Sequence, residues 1–193
     1  MCGRLIDLEK AFELANKDVI LHELTKLGVR GKLLGWLQDY LSDRKGYVTI
    51  DGYKSDITDF ENGTPQGSIL SPFLFNILVN VLVSKEYPAG VSVYSYADDI
   101  VLVINETNCE TKVQKSLDII TQACNELGLK INVNKTKVMN FMRRQGGHTF
   151  TYKIQGAEIE TVKQYKYLGI VYTSTLNMTA HSEYVAKRVT GKM

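Results

Sequence analysis

Two adjacent aspartates, Asp98 and Asp99, follow Tyr96-Ala97 and sit between the runs Val91–Tyr94 and Ile100–Ile104. This pattern predicts a buried hairpin with two carboxylates at its tip. An ionised carboxylate taken out of water needs a compensating charge, and a divalent cation is the natural one. A further acid, Asp7, ends a predicted short strand over residues 2–8. Phosphoryl transfer with two magnesium ions needs carboxylates from separate segments converging on ions about 3.5–4 Å apart. Magnesium takes only one or two protein carboxylates, leaving the rest of its shell to phosphate and water. Asp7 and Asp98 form such a pair if their strands are neighbours. Adjacent strand residues point to opposite faces, so Asp98 is expected to coordinate directly and Asp99 to support it. An Asp-Asp pair alone also suits a surface turn.

The elements that must hold these acids are legible from periodicity. Lys17–Leu27 and Gly31–Ser42 carry apolar residues at helical spacing, and Gly28 stops the first. Tyr47–Ile50 and Asp56–Phe60 are predicted to pair as a hairpin turning at Asp51-Gly52. Ser71 is predicted to cap a helix with Pro72 at its first position. That helix is apolar nearly all round and so should be buried, with Asn76 and Asn80 hydrogen-bonded inside the core. Asn108 is predicted to cap the next helix, whose buried stripe is Val113, Leu117, Ile120, Cys124 and Leu127, closed by Gly128. Strands are expected at Val138–Arg143, Thr149–Ile154 and Tyr167–Tyr172, and a last helix from Thr179. The order of strands and helices is that of an α+β fold, an antiparallel sheet with helices on one face.

Composition sets bounds. The chain has 193 residues, 44% hydrophobic and 23% charged, with a net charge of +2, which fits one globular domain. Between Leu127 and Ala157 there is no acid, but there are Lys130, Lys135, Lys137, Arg143, Arg144 and Lys153. Such a stretch is either a solvated basic face or a surface that meets phosphate. Cys2, Cys109 and Cys124 show no zinc spacing and suggest an intracellular, reducing compartment without disulfides. The longest apolar run, Pro72–Val83, is too short to span a bilayer, and no signal peptide is visible, so no membrane partner is expected.

Read together, Leu5-Ile6-Asp7-Leu8-Glu9-Lys10-Ala11-Phe12, Thr64-Pro65-Gln66-Gly67-Ser68 through Ser71-Pro72 with Phe75-Asn76, and Tyr96-Ala97-Asp98-Asp99 closely resemble the three central palm motifs of reverse transcriptases, in the family's order. Gly128-Leu129-Lys130 with Asn134-Lys135-Thr136-Lys137, then Tyr167-Leu168-Gly169, are similar to the two motifs that follow. The flavour is that of non-LTR, LINE-like retrotransposon enzymes, and the resemblance covers roughly residues 3–172. It implies a polymerase palm with a ferredoxin-like core over residues 1–175, and the start of a thumb over 176–193. It implies two magnesium ions (manganese as a substitute) at Asp7, Asp98 and Asp99. Phe12 occupies the sugar-gate position, where a bulky ring clashes with a ribose 2′-hydroxyl. Gln66, Gly67 and Tyr96 are implied to meet the incoming nucleotide and template. Tyr165, Lys166 and Tyr167 are implied to hold the primer end. Lys135 or Lys137 is a candidate for protonating the departing pyrophosphate. The implied partners are an RNA template, a DNA primer and deoxynucleoside triphosphates.

Family members carry fingers before the first palm motif and a thumb after the last. Met1 lies close before Asp7, and only Thr179–Met193 could begin a thumb. Glu13 stands where many relatives have Asp. The expectation is therefore a palm with fingers missing and thumb truncated. It is either a polymerase palm active in its full-length parent or an inactive remnant that at most binds nucleic acid.

Overall fold

The computed structural model describes residues 2–106, 109–141 and 150–191. Strand β1 (Cys2–Glu9) leads into helices α1 (Ala11–Leu14), α2 (Lys17–Lys26) and α3 (Gly31–Leu41). Short strands β2 (Arg44–Gly46), β3 (Thr49–Ile50), β4 (Tyr53–Lys54) and β5 (Thr58–Phe60) follow, then helix α4 (Ser71–Val83). The hairpin of β6 (Val91–Tyr96) and β7 (Asp99–Ile104) precedes helix α5 (Glu110–Glu126). Beyond it lie β8 (Lys130–Ile131), β9 (Lys137–Asn140), β10 (Lys153–Ile154), β11 (Ala157–Glu158) and β12 (Glu160–Thr161). Hairpin strands β13 (Gln164–Tyr167) and β14 (Ile170–Thr173) and helix α6 (Thr179–Val189) end the described chain. It divides into two compact units. One comprises Met1–Asp7, Glu86–Thr121 and Ile131–Met193, the other Leu8–Lys85 and Gln122–Lys130.

The first unit is built on a sheet of order β12-β9-β1-β7-β6, with β8 also pairing β1. Strand β1 runs antiparallel to β7 and to β9, and β6 antiparallel to β7, while β12 lies parallel to β9. Taken in chain order, β1, β6, β7 and β9 are four strands arranged fourth-first-third-second. Helix α4 falls between the first two in sequence and α5 between the last two, the ferredoxin-like topology. The strands form because Val, Ile and Tyr alternate in them, and the pleat sorts that alternation onto two faces. Ile6, Ile100, Leu102, Ile104 and Val138 share one face and are buried. Leu5, Asp7, Asp99, Val101 and Val103 share the other. In α5 the stripe Val113, Leu117, Ile120 and Cys124 is wholly buried, and burial pushes the Cys124 thiol up to about 12.

The second unit packs α2 against α3 and α4 through Ile20, Leu24, Leu41, Leu74, Leu78 and Leu82. Asn16 caps α2, its Oδ1 accepting from the amides of Asp18 (2.9 Å) and Val19 (3.2 Å). Lys85 and Glu126 form an ion pair at 2.8 Å. Among the described residues no helix is long and apolar enough to cross a membrane.

Several expectations change. Asp51-Gly52 does turn a hairpin, with φ 49° and 84°, but its arms are β3 and β4. Asp56–Phe60 is not the partner of Tyr47–Ile50; Thr58–Phe60 pairs with Arg44–Gly46 instead. A two-residue turn with both φ positive pairs the residues that flank it directly, so Tyr53 begins the return arm. Ser71 is the first residue of α4 rather than its cap; Leu70 holds the cap position and Ser71 Oγ donates to the Pro65 carbonyl. Asn76 and Asn80 lie on the exposed face of α4, not in the core. Tyr167–Tyr172 is a hairpin turn rather than one strand, because Leu168 and Gly169 both adopt positive φ (47° and 83°). The β6 arm of the acidic hairpin is largely exposed, including Tyr94 and Tyr96, since only one face of the sheet is sealed. The proposed cap Asn108 and the segment from Arg143 to Thr149 lie outside the described residues.

Candidate functional site

The acids gather at one end of the first unit's sheet. Strand β1 runs antiparallel to β7, and the register sets Asp7 directly opposite Asp99. Tyr96 faces Asp99 across the hairpin, leaving Ala97 and Asp98 as the two-residue turn. Ala97 sits at φ 51°, a left-handed conformation that costs a non-glycine residue about 1 kcal/mol or more. The tight turn brings Asp98 close enough to act on both neighbours. Burial raises the Asp7 carboxyl above its usual range; Lys135 opposes the rise and Asp98 adds to it. Burial likewise raises Asp99, followed by the charges of Asp98 and Asp7.

Among the described residues one cation pairs with these carboxylates. Lys135 Nζ lies 3.8 Å from Asp7 Oδ2, on a largely exposed side chain. Lys137 is occupied elsewhere: its Nζ donates to the Asn134 carbonyl (2.6 Å) and to Glu160 (2.7 Å). The strand end is fixed by its neighbours, for Asn132 N–H donates to the Asp7 carbonyl at 2.8 Å. Among the described residues no group of three or more His, Cys, Asp or Glu is placed to hold a metal ion. The donor set is instead an open one: oxygen ligands, mutually repelling, with their charge unbalanced. That chemistry suits a hard divalent cation whose shell is completed by substrate phosphate and water.

Tyr165 and Tyr167 share one face of the β13–β14 hairpin and reach the same region. Burial raises the Tyr165 hydroxyl, with Asp7 and Asp99 adding to it. Burial raises Tyr167 too, followed by Asp99 and Tyr172. Both rings line an apolar cavity of about 280 Å³ with Leu5, Val101, Val103 and Met139, on the acid-bearing face of the sheet. Lys166 points the other way and is exposed, its Nζ 4.8 Å from the Tyr184 ring centroid.

The remaining candidates lie in the second unit, where the structure brings Phe12, Gln66 and Gly67 to one groove of about 500 Å³. Phe12 stacks on Phe75 with centroids 4.3 Å apart. The loop reaches Phe12 because Gly63 permits it. Gly63 N–H donates to Ala15 O (2.8 Å) and Thr64 N–H to Phe12 O (2.9 Å). A Cβ on Gly63, at φ 90°, would sit 2.7 Å from Glu13 O and 2.8 Å from Phe12 O. Gly67 is also left-handed, at φ 82°, with open space around it.

Sequence reading missed the residues that pin this loop. Tyr40 of α3 hydrogen-bonds the Ser68 hydroxyl, and Ser68 Oγ also accepts from Leu70 N–H. Arg44 Nη2 donates to the carbonyls of Asn62 (2.6 Å) and Gly63 (2.7 Å). Tyr40 was legible only as one member of a helical stripe, and Arg44 only as a surface charge. A polar tip on an otherwise apolar stripe is the one signal that could have marked Tyr40.

Comparison with known proteins bears on this arrangement. The family model for reverse transcriptase (RNA-dependent DNA polymerase) matches residues 2–172. The RNA-directed DNA polymerase from mobile element jockey of Drosophila melanogaster is 27% identical over 187 residues, covering 93% of this chain and 20% of the relative. The putative 115 kDa protein in type-1 retrotransposable element R1DM, from the same organism, is 26% identical, covering 98% of this chain and 18% of the relative. The chain thus spans about a fifth of the length of these curated relatives. Apo telomerase from Candida tropicalis superposes with a TM-score of 0.64 at 14% identity, covering 91% of this chain and 34% of that one, a likeness of fold. With the motifs in order, the acids opposed across β1 and β7, and the family match running through nearly all of the chain, the protein belongs to the reverse transcriptase (RNA-dependent DNA polymerase) family, of the LINE-like retrotransposon type.

Proposed function

We propose that this chain is the palm of an RNA-directed DNA polymerase, adding deoxynucleotides to a primer 3′-hydroxyl by a two-metal mechanism. The observation that carries the reading is the register of Asp7 against Asp99 with Asp98 in the turn between β6 and β7. Residues 1–175 are the palm and 176–193 the start of a thumb.

Asp7 and Asp98 would hold the metals, with Asp99 supporting them. Two magnesium ions, or manganese in their place, when bound supply the charge that acidifies the primer hydroxyl and neutralises the triphosphate. The chain's own residues position the reactants around that charge. Phe12, braced by Phe75, blocks a ribose 2′-hydroxyl and so favours deoxynucleotides. Gln66 offers both donor and acceptor, and Gly67 lets backbone approach the nucleotide and template closely. Tyr96, exposed beside Asp99, is available to meet the nucleotide or template. Tyr165 and Tyr167 pack on the sugars of the primer end, whereas Lys166, implied by the resemblance as a further primer contact, lies on the opposite face of the hairpin over Tyr184. Lys135 steadies or protonates the departing pyrophosphate, since Lys137 is held by Glu160. The protein acts inside the cell, on an RNA template, a DNA primer and deoxynucleoside triphosphates.

The test is a fusion of this chain to the fingers and thumb of a related retrotransposon polymerase. The fusion is expected to copy RNA into DNA, the chain alone to extend a primer weakly or not at all, and Asp98→Asn in the fusion to abolish synthesis. Synthesis surviving Asp98→Asn overturns the metal assignment. A folded fusion that never copies RNA, even with Asp98 intact, favours the inactive remnant that only binds nucleic acid.

A further inference from the structure

We infer that Arg44 and the cavity it lines form a seat for one phosphodiester of the template strand, beside the templating base. The inference deepens the polymerase reading and rests on it. The cavity, about 540 Å³, belongs wholly to the second unit and is lined by Arg44, Lys45, Phe60, Asn62, Pro65 and Gln66 among others.

Arg44 is half-buried and rigidly held. Its Nε donates to the Leu41 carbonyl at 3.3 Å, and its Nη2 donates to the carbonyls of Asn62 and Gly63. Among the described residues no carboxylate pairs with it; the acids that do pair choose Lys26, Lys45, Lys85, Lys112, Lys135 and Lys137. Nη1 makes no hydrogen bond there either. The result is a guanidinium fixed by three carbonyls, charged and without a carboxylate partner, whose two Nη1 N–H groups are the donors left over. A guanidinium so presented offers its charge and the Nη1 donors to one phosphate oxygen. Lys45, paired only loosely with Asp59 at 3.2 Å and well exposed, adds charge at the rim. Glu13 also lines the cavity and subtracts from that charge, but it is exposed and screened.

Why a strand and not a free anion follows from Gln66. That residue lines this cavity and also the groove of Phe12 and Gly67. A ligand occupying both must cross Gln66, with a base on one side and its backbone phosphate on the other. A nucleic-acid strand has that form. Phe60 gives the sugar an apolar wall.

The experiment uses this chain, a DNA primer and RNA templates carrying one neutral methylphosphonate linkage at successive positions. Binding is read by fluorescence anisotropy. Wild type is expected to lose about tenfold in affinity when the neutral linkage flanks the templating nucleotide, and little elsewhere. Arg44→Gln is expected to bind the charged template about tenfold more weakly, to ignore that linkage, and to show a salt slope smaller by about one. An Arg44→Gln chain as sensitive as wild type, or a wild type with no sensitive position, overturns the inference while leaving the polymerase reading intact. A chain that binds no primer–template at all overturns the inference, and the fusion then decides the polymerase reading separately. Should Arg44→Gln lose its folded circular dichroism spectrum, phenylglyoxal labelling of wild type decides instead. The charged template must then protect Arg44, located by peptide mass, more than the neutral-linkage template does; equal labelling overturns the proposal.

Discussion

The two faces of the first unit's sheet come from the same strands and are opposite in character. One carries Ile6, Ile100, Leu102, Ile104 and Val138 and is sealed from water. The other carries Leu5, Val101 and Val103, and at its end Asp7 and Asp99, which repel each other across the register. Apolar burial is concentrated on the first face and charge on the second, one residue apart along the chain. The pleat allows this because neighbouring side chains never share an environment. A register slip of one residue in β7 would put Asp99 into the core and Ile100 beside Asp7. The hydrophobic face therefore fixes where the acids stand.

That contrast can be broken by mutation. On the sealed face, Leu102→Ala is expected to cost about 2–5 kcal/mol in urea unfolding, since it leaves a cavity in a fully buried site. A loss below ~1 kcal/mol would mean that this face is not the core. Gly63→Ala in the other unit is expected to cost about 1–3 kcal/mol, through collision with the Phe12 and Glu13 backbone and strain at φ 90°. It should also disturb the Phe12 groove, read as weaker deoxynucleotide binding.

On the acidic face the sign reverses. Asp99→Asn is expected to raise the melting temperature of the metal-free chain, because it removes a half-buried charge that Asp98 and Asp7 oppose. The pH dependence follows from the same shift. Asp7 and Asp99 have folded values raised above the ordinary 3.8. The folded state therefore holds protons that the unfolded chain has released. The penalty is present above the raised values and disappears as pH falls through them towards 3.8. The stability difference between Asp99→Asn and wild type should thus shrink on acidification across that window, and shrink also when magnesium is added at neutral pH. A difference that grows on acidification contradicts the charge cluster. The smallest effect is expected from the lysines. Removing Lys135, which is largely exposed, should change stability by less than about 1 kcal/mol. It should still widen the Asp99→Asn difference more than Lys137→Met does.

Much of the site was legible in the sequence because its residues are local. Asp98-Asp99 between two strands, Asp51-Gly52 as a turn and the α5 stripe each follow from neighbours in the chain. The errors came where a partner was distant. Thr58–Phe60 pairs with Arg44–Gly46 across the inner hairpin, and that choice is not written in either segment. The nearly all-round apolarity of α4 points Asn76 and Asn80 into the core. The helix nonetheless keeps one exposed edge, and both amides lie there. Lys135 and Lys137 were indistinguishable as letters; Glu160, on the strand beside β9, separates them.

Sequence alone determined the chemical inventory: three acids, a bulky ring after the first, a glycine-bearing loop, and strands whose alternation must hide one face. Tertiary structure decided the pairing of Asp7 with Asp99, the capture of Lys137 by Glu160 while Lys135 faces Asp7, and the tethering of the Gln66 loop by Tyr40 and Arg44. The reason is physical. Periodicity records which side of an element avoids water, whereas the identity of a neighbour depends on long-range closure of the chain, whose free energy is shared among many contacts and belongs to no single residue.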